Sequence, residues 1–493
     1  MGYYSIPIAL LIGGIISIVE TCRKRKHGPV DFLLGFHIIY FLSFCVSPIF
    51  LISFDIQSLP NWAWLGKYDF DSGVYFWASL LSLGCYFCVL FGYGFTQKLS
   101  LKRESRAMKP AAKLTFKLPD KQLFLIAAMT GAVGTFSFLV YTQSIGGFGS
   151  LFQNAILLRG GGNVFNSPFA FLKNVSPFLL IASYMFYALM KQGRSVSIRR
   201  VAALCFAAMF VLSMMLLFHK AGRMGLISYL ITFPVAQMLY KGKIKIRTIV
   251  GFGAFFILMV LFGKQLFNYF LYPEGLTQRV STVSENTTNV FAMVFAEFAF
   301  PIASLANVIS VYPELAGFHW FSDIAYSWMY LMPDNLFPMK LPETISFINT
   351  QQFGASGTVP IDLVSFGFLS MGIAGVMVAG TAFGAVLALF DRLFSDMKEM
   401  ISIVFRVAWI NFFAFRVMYA DPEMAFSASF TLMAGTLAIL YGVHSYQKKT
   451  NKGRVKSDAS RQNKAVQGHI RTAYRRGGND ALPDGNELKP GTV

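Results

Sequence analysis

The chain has 493 residues, 55% of them hydrophobic and 14% charged, with a formal net charge of +19. A soluble domain carries about 25% charged residues, and apolar runs of membrane-crossing length fill most of this sequence, so a soluble multidomain protein is excluded. With 52 Phe and 5 Cys it is neither a disordered chain nor a disulfide scaffold, and continuous rather than alternating apolar runs exclude an outer-membrane barrel.

The first apolar run is Tyr4–Val19. No basic cluster precedes it and Arg23–Lys26 (RKRK) follows it, the wrong order for a cleaved signal peptide. Val30–Phe54, Val74–Phe95, Leu123–Val140, Phe169–Met190, Val201–Phe218, Met224–Tyr240 and Ile249–Phe267 come next. Val364–Phe390, Met400–Met418 and Met424–Tyr446 close the series. These predict an all-α polytopic membrane protein with about eleven transmembrane helices. Cys85 and Cys88 form a CxxC inside one such run, with no His or Cys pair elsewhere to complete a metal site, and read as packing residues.

Every second loop is basic: Arg23–Lys26, then Lys98 to Lys121, Lys191 to Arg200, and Lys241 to Arg247. The positive-inside rule places these loops in the cytoplasm, the N-terminus outside and the C-terminus inside. It also accounts for most of the net charge without nucleic acid, for which the loops carry no reading motif.

Residues 268–363 form one large outer (periplasmic) loop on this count, rich in Trp320, Tyr326, Trp328, Tyr330 and Phe337. It contains VFAMVFAEFAFPIASLANVIS, apolar enough to resemble a span. A crossing there would put the basic tail outside, and Glu297 and Pro301 interrupt the run. It is therefore expected to be an interfacial or re-entrant helix packed on the outer face. Residues 1–446 make the transmembrane domain, and 447–493 a basic, disordered cytoplasmic tail.

The cations outside the cytoplasmic loops call for a reason: Lys67, Arg159, Lys173, Lys220, Arg223, Lys264, Arg279, Lys340, Arg406 and Arg416. Arg suits a lipid phosphate because its planar fork binds two oxygens and keeps its charge when partly buried. Arg159 precedes three glycines, whose successive N–H groups can converge on an anion. Arg223, beside His219 and Lys220, opens the seventh span, where helix-end N–H groups favour negative charge. Arg416 ends the tenth span, with Asp421 and Glu423 following as alternative partners. Arg279 sits in a polar stretch of the large loop, and Arg406, nearer the cytoplasm, reads as structural. Three groups are alternative general bases. His319 lies four residues before Asp323, His219 lies in the tight outer turn, and Glu297 is a carboxylate in apolar surroundings. No outward cluster of metal-ligating residues is evident, so neither metal nor cofactor is expected.

These features resemble the O-antigen or oligosaccharide repeat-unit polymerases, the Wzy-type family. The likeness rests on the span number with one large outer loop, on ILLRGGG and AGRMGLISYL, and on the stretch from GTVPIDLVSFGFLSMGIAGVMVAG to FFAFRVMYADPE. The resemblance implies a GT-C-like, all-helical, metal-independent inverting glycosyltransferase in the bacterial inner membrane. It implies undecaprenyl-pyrophosphate-linked glycans as substrates, Arg159, Arg223, Arg416 and Arg279 on the pyrophosphate, membrane lipids around it, and a chain-length regulator protein as a partner. An O-antigen ligase shares the architecture. A lipid-linked oligosaccharide flippase or transporter is a reading from another class, which repeats and mid-membrane polar residues would favour.

Overall fold

A computed structural model describes most of residues 4–53, 73–106, 118–153, 169–258, 290–329, 342–354, 359–395 and 398–446, together with 65 and 67; short gaps lie inside these stretches. Residues 154–168, 259–289, 330–341 and 447–493 lie outside the described residues, and with them Arg159, Arg279 and the tail. The chain divides into two units, Met1–Ala438 and Ile439–Val493, and the architecture below belongs to the first.

Among the described residues every regular element is helical. The order is α1 (Ser5–Cys22), α2 (Phe32–Tyr40), a π-turn (Phe41–Val46), α3 (Ser47–Ser53), α4 (Gly73–Arg106), α5 (Asp120–Ser144) and α6 (Gly147–Gln153). There follow α7 (Leu172–Val175), α8 (Phe178–Gln192), α9 (Val196–His219), α10 (Arg223–Lys241), α11 (Val290–Val311), α12 (Ser322–Met329), α13 (Ile345–Phe353), α14 (Leu363–Leu393) and α15 (Met400–Phe415). Among the described residues, seven helical stretches are long and apolar enough to cross a membrane, and α15 and Phe295–Val311 are shorter apolar helices. Only 22% of the most apolar part of α9 is buried in the protein, and Leu204 is 74% exposed. Apolar surface on that scale belongs against hydrocarbon rather than water.

Among the described residues, the ends of α5, α8 and α15 next to the basic loops meet one another. At the basic end, Asp120 at the start of α5 accepts from the backbone N–H of Arg194 just after α8, at 2.6 Å. Gln192, ending α8, accepts from Met400 N–H at the start of α15, at 2.7 Å. A buried charge network crosses the same end. Arg23 forks onto Asp31 and also reaches Glu20; Glu20 meets His37 Nδ1 at 2.6 Å; Asp391 accepts from Tyr93 Oη at 2.7 Å and from Phe32 N–H at 3.1 Å. Arg406 donates to the Val30 carbonyl at 2.8 Å, so its charge ties α15 to the entrance of α2, the structural position expected for it. Phe32, Phe390, Phe394, Trp409 and Phe413 fill the space between these helices.

The closest packing joins α4 to α14. A Cβ on Gly384 would fall 2.0 Å from the Val89 carbonyl, and one on Gly92 would fall 2.0 Å from that of Thr381. Only glycine lets these backbones touch, as small residues do where helices associate inside a bilayer. Cys85 is a buried free thiol on the same face of α4, as its packing role predicts.

Two expectations are revised. Pro301 does not interrupt its segment: Val290–Val311 is one helix that runs through the proline. Nor does that helix lie on a face. Residues 298–308 are nearly all buried, and α11 packs against α3, α4 and the π-turn. Ser47 donates to the Phe298 carbonyl at 2.7 Å, in the turn whose ladder the proline weakens. The second revision concerns α14, expected as one plain span over Val364–Phe390. It breaks at Met371 and Gly372, which leave helical geometry (Gly372 φ 63°). The two halves turn back on each other until Gly367 lies against Gly375 and Val376, backbone to backbone. The span proper is the half that follows the break.

Candidate functional site

The site is built at the end opposite the basic loops, where α14 begins and α15 ends. Asp362 opens α14, accepting from Val364 and Ser365 N–H at 2.8 and 3.1 Å, the usual work of an N-cap carboxylate. The chain leaving α15 pairs with this entrance: Leu363 N–H donates to the Val417 carbonyl at 2.9 Å, and Ala420 N–H to the Ile361 carbonyl at 2.7 Å. Asp421 is buried just beyond and accepts from Ser346 N–H in the first turn of α13 and from Glu423 N–H, both at 3.0 Å. The path from Arg416 to Glu423 is thereby fixed at both ends.

The segment before α12 docks on the broken part of α14. His319 and Trp320 N–H donate to the Leu369 and Ser370 carbonyls at 3.1 and 2.9 Å, satisfying acceptors that the break at Met371 would orphan. Trp320 and Phe321 hold φ of 53° and 58°, uncommon for residues with large side chains. Such strain persists only where the surroundings impose it, and it gathers at functional sites. Here the broken helix imposes it, while Phe321 anchors in an apolar cluster with Tyr312, Ile345, Ile361, Phe366, Leu369 and Ala420. One cluster thus joins the His319 segment to the Arg416–Glu423 segment.

The spacing of His319 and Asp323 places them together as expected: Nδ1 lies 3.2 Å from the carboxylate. The hydrogen bond to Asp323 raises the imidazole pKa, burial opposes it, and the carboxylate charge adds to the rise. A group so placed favours its cationic form.

Arg416 caps the end of α15 half-buried, its guanidinium 4.5 Å from the centre of the Phe412 ring. Among the described residues its Nε has no hydrogen-bond partner, and the charges acting on it come from Tyr419 and Asp421. Asp421 is spent on backbone N–H groups, and Glu423 Oε2 is buried without a partner among the described residues. The Glu423 carboxyl is pushed up to about 7, first by burial and then by Asp421, with Lys173 opposing.

The remaining predicted residues fall elsewhere. His219 is buried, Nε2 at 3.0 Å from Tyr141 Oη and Nδ1 at 2.9 Å from the Leu151 carbonyl, so both ring nitrogens are engaged in packing. Glu297 lies part-buried on α11 within the bundle and has interactions there. Arg223 opens α10 as its position predicts, and Arg159 and Arg279 lie outside the described residues. Of the outer aromatics, Trp320 is 67% exposed beside His319, and Trp328 packs its ring 4.7 Å from that of Phe426. Comparisons with protein families, with curated proteins and with solved structures return no match for this chain.

Proposed function

We propose that the chain is a membrane glycosyltransferase. It would polymerise undecaprenyl-pyrophosphate-linked oligosaccharide repeat units into a surface polysaccharide, in a GT-C-like fold of about eleven spans. The supporting observation is Arg416: a half-buried guanidinium whose Nε has no hydrogen-bond partner among the described residues, on a segment that one apolar cluster joins, through Ala420 and Phe321, to the segment of the His319–Asp323 pair. A cation partly withdrawn from water, whose nearby carboxylate is taken up by backbone N–H groups, has capacity for a further anion. In this reading the end carrying Arg416 faces the outer side of the bacterial inner membrane, which the alternating basic loops support.

In this reading a sugar hydroxyl attacks the anomeric carbon of the lipid-linked donor. The bond to pyrophosphate breaks, and the leaving group departs with the electron pair. Its charge is the main obstacle, and cations fixed in place before the reaction lower it. Arg416 and the cationic form of His319 supply that charge, with Arg159, Arg223 and Arg279 as further candidates. Exposed Trp320 offers an apolar face to a sugar ring. A second reading, transfer of the glycan to a lipid acceptor as in an O-antigen ligase, is favoured by the paired His319 and differs only in what receives the glycan.

Arg416→Ala should slow extension by about 10²–10³-fold, the loss of one charge-assisted contact in the transition state. Arg416→Lys should recover part of that, since a point charge does not reproduce the fork. The length distribution of surface glycan at matched protein levels measures both. Normal long chains from Arg416→Ala would remove the basis of the proposal.

A further inference from the structure

We infer that Glu423 is the proton acceptor of the transfer, its carboxylate taking the proton of the attacking sugar hydroxyl as the new glycosidic bond forms. The inference rests on the glycosyl-transfer reading above and assigns the role that reading leaves open. His219 has both ring nitrogens occupied, and His319 has its Nδ1 held by Asp323, which shifts it toward the cation and suits it to the leaving pyrophosphate. Glu423 follows Arg416 on one fixed segment. Its own N–H is held by Asp421 Oδ1 at 3.0 Å, while its Oε2 is buried and unpartnered among the described residues. A buried acceptor with nothing to accept is uncommon and marks a place where a donor is missing. A hydroxyl is such a donor.

The surroundings suit the task. One helical turn after Glu423, Phe426 packs against Trp328 of α12, the helix whose first turn carries Asp323. Along the chain Glu423 thus falls between Arg416 and the residue that packs on the aromatic Trp328. The charges acting on it are Asp421 from its own segment and Lys173 from α7, and Arg416 lies near Asp421. A base with a pKa near the working pH accepts a proton in the transition state and releases it afterwards with least loss. The step balances. The hydroxyl oxygen bonds to the anomeric carbon, its proton passes to Glu423, and the bond to pyrophosphate breaks with the electron pair on the phosphate.

The test uses purified full-length protein in lipid nanodiscs, with lipid-pyrophosphate-linked oligosaccharide extracted from the membranes of the source cell. Glu423→Gln should lower the extension rate by about 10²–10³-fold, with Glu423→Asp recovering part of it. The wild-type rate should fall as pH drops below about 7, because protonated Glu423 cannot accept. Lys173→Met removes the cation that holds the carboxyl down, so the same fall should begin at higher pH. A merely structural Glu423 would not move that limb. Full-rate extension by Glu423→Gln with an unchanged limb would overturn the inference and leave the transfer reading standing. Absence of extension by the wild type would overturn the reading itself and the inference with it.

Discussion

Arg416 and His319 answer the same physical problem in opposite ways. His319 gains a carboxylate four residues away and is stabilised as a cation; Arg416 lies over an aromatic ring, and the carboxylate near it, Asp421, accepts from backbone N–H groups. The first arrangement has a measurable signature. The folded pKa of His319 lies above its ordinary value of 6.5, so the stabilisation from Asp323 is fully present below about 6.5 and is lost as pH rises through the folded value. The thermal midpoint of Asp323→Asn should therefore fall further below wild type at pH 6 than at pH 9. An equal deficit at both pH values would show that Asp323 acts on something other than the imidazole. This pair was legible from sequence, because spacing alone puts positions four apart within reach. The engagement of His219 was not, since Tyr141 and Leu151 are remote in sequence. The setting of Arg416 was also hidden. Asp421 and Glu423 follow it closely, and only the fold shows Asp421 turned to cap α13 instead.

At the scale of elements, apolar length located the helices well, because a bilayer fixes how long each must be. It was blind to what happens inside them. The break in α14 falls at Met371–Gly372 within GFLSMGIAGVMVAG, where the only sequence sign is glycine among apolar residues, and many spans carry glycine without breaking. The glycines do separate jobs. Gly372 supplies a positive φ, Gly367 and Gly375 let the two halves touch, and Gly384 admits α4. Pro301 misled in the other direction. A proline removes one ladder bond, but tight packing around α11 holds the helix through it. Acidic residues in apolar runs were the overlooked signal at the basic end. Glu20, Asp31 and Asp391 stand in or beside spans and prove to be partners of Arg23, His37 and Tyr93.

For the whole molecule, charged groups gather at both ends of the bundle and are handled differently. At the basic end Arg23, His37 and Arg406 lie against the carboxylates of Glu20, Asp31 and Asp391, although Arg23 Nε and Arg406 Nε find no hydrogen-bond partner among the described residues. At the other end Arg416 and Glu423 keep groups unsatisfied among the described residues. The proposed reading uses the contrast in carboxylate pairing: an enzyme working at one surface needs its open cation on that side alone. The basic loops predict a sidedness: reporter fusions after Lys121 and Lys245 should read cytoplasm, and one near Ser281 should read outside. Cytoplasmic signal near Ser281 would place the Arg416 end away from the outer leaflet and undo the assignment of substrate. The central claim is glycan extension by this chain alone. Purified protein in nanodiscs, given lipid-pyrophosphate-linked repeat units and no added metal, should convert single repeats into a ladder of longer products, in excess EDTA as well as without it. Single repeats that remain unextended at every protein concentration would contradict it.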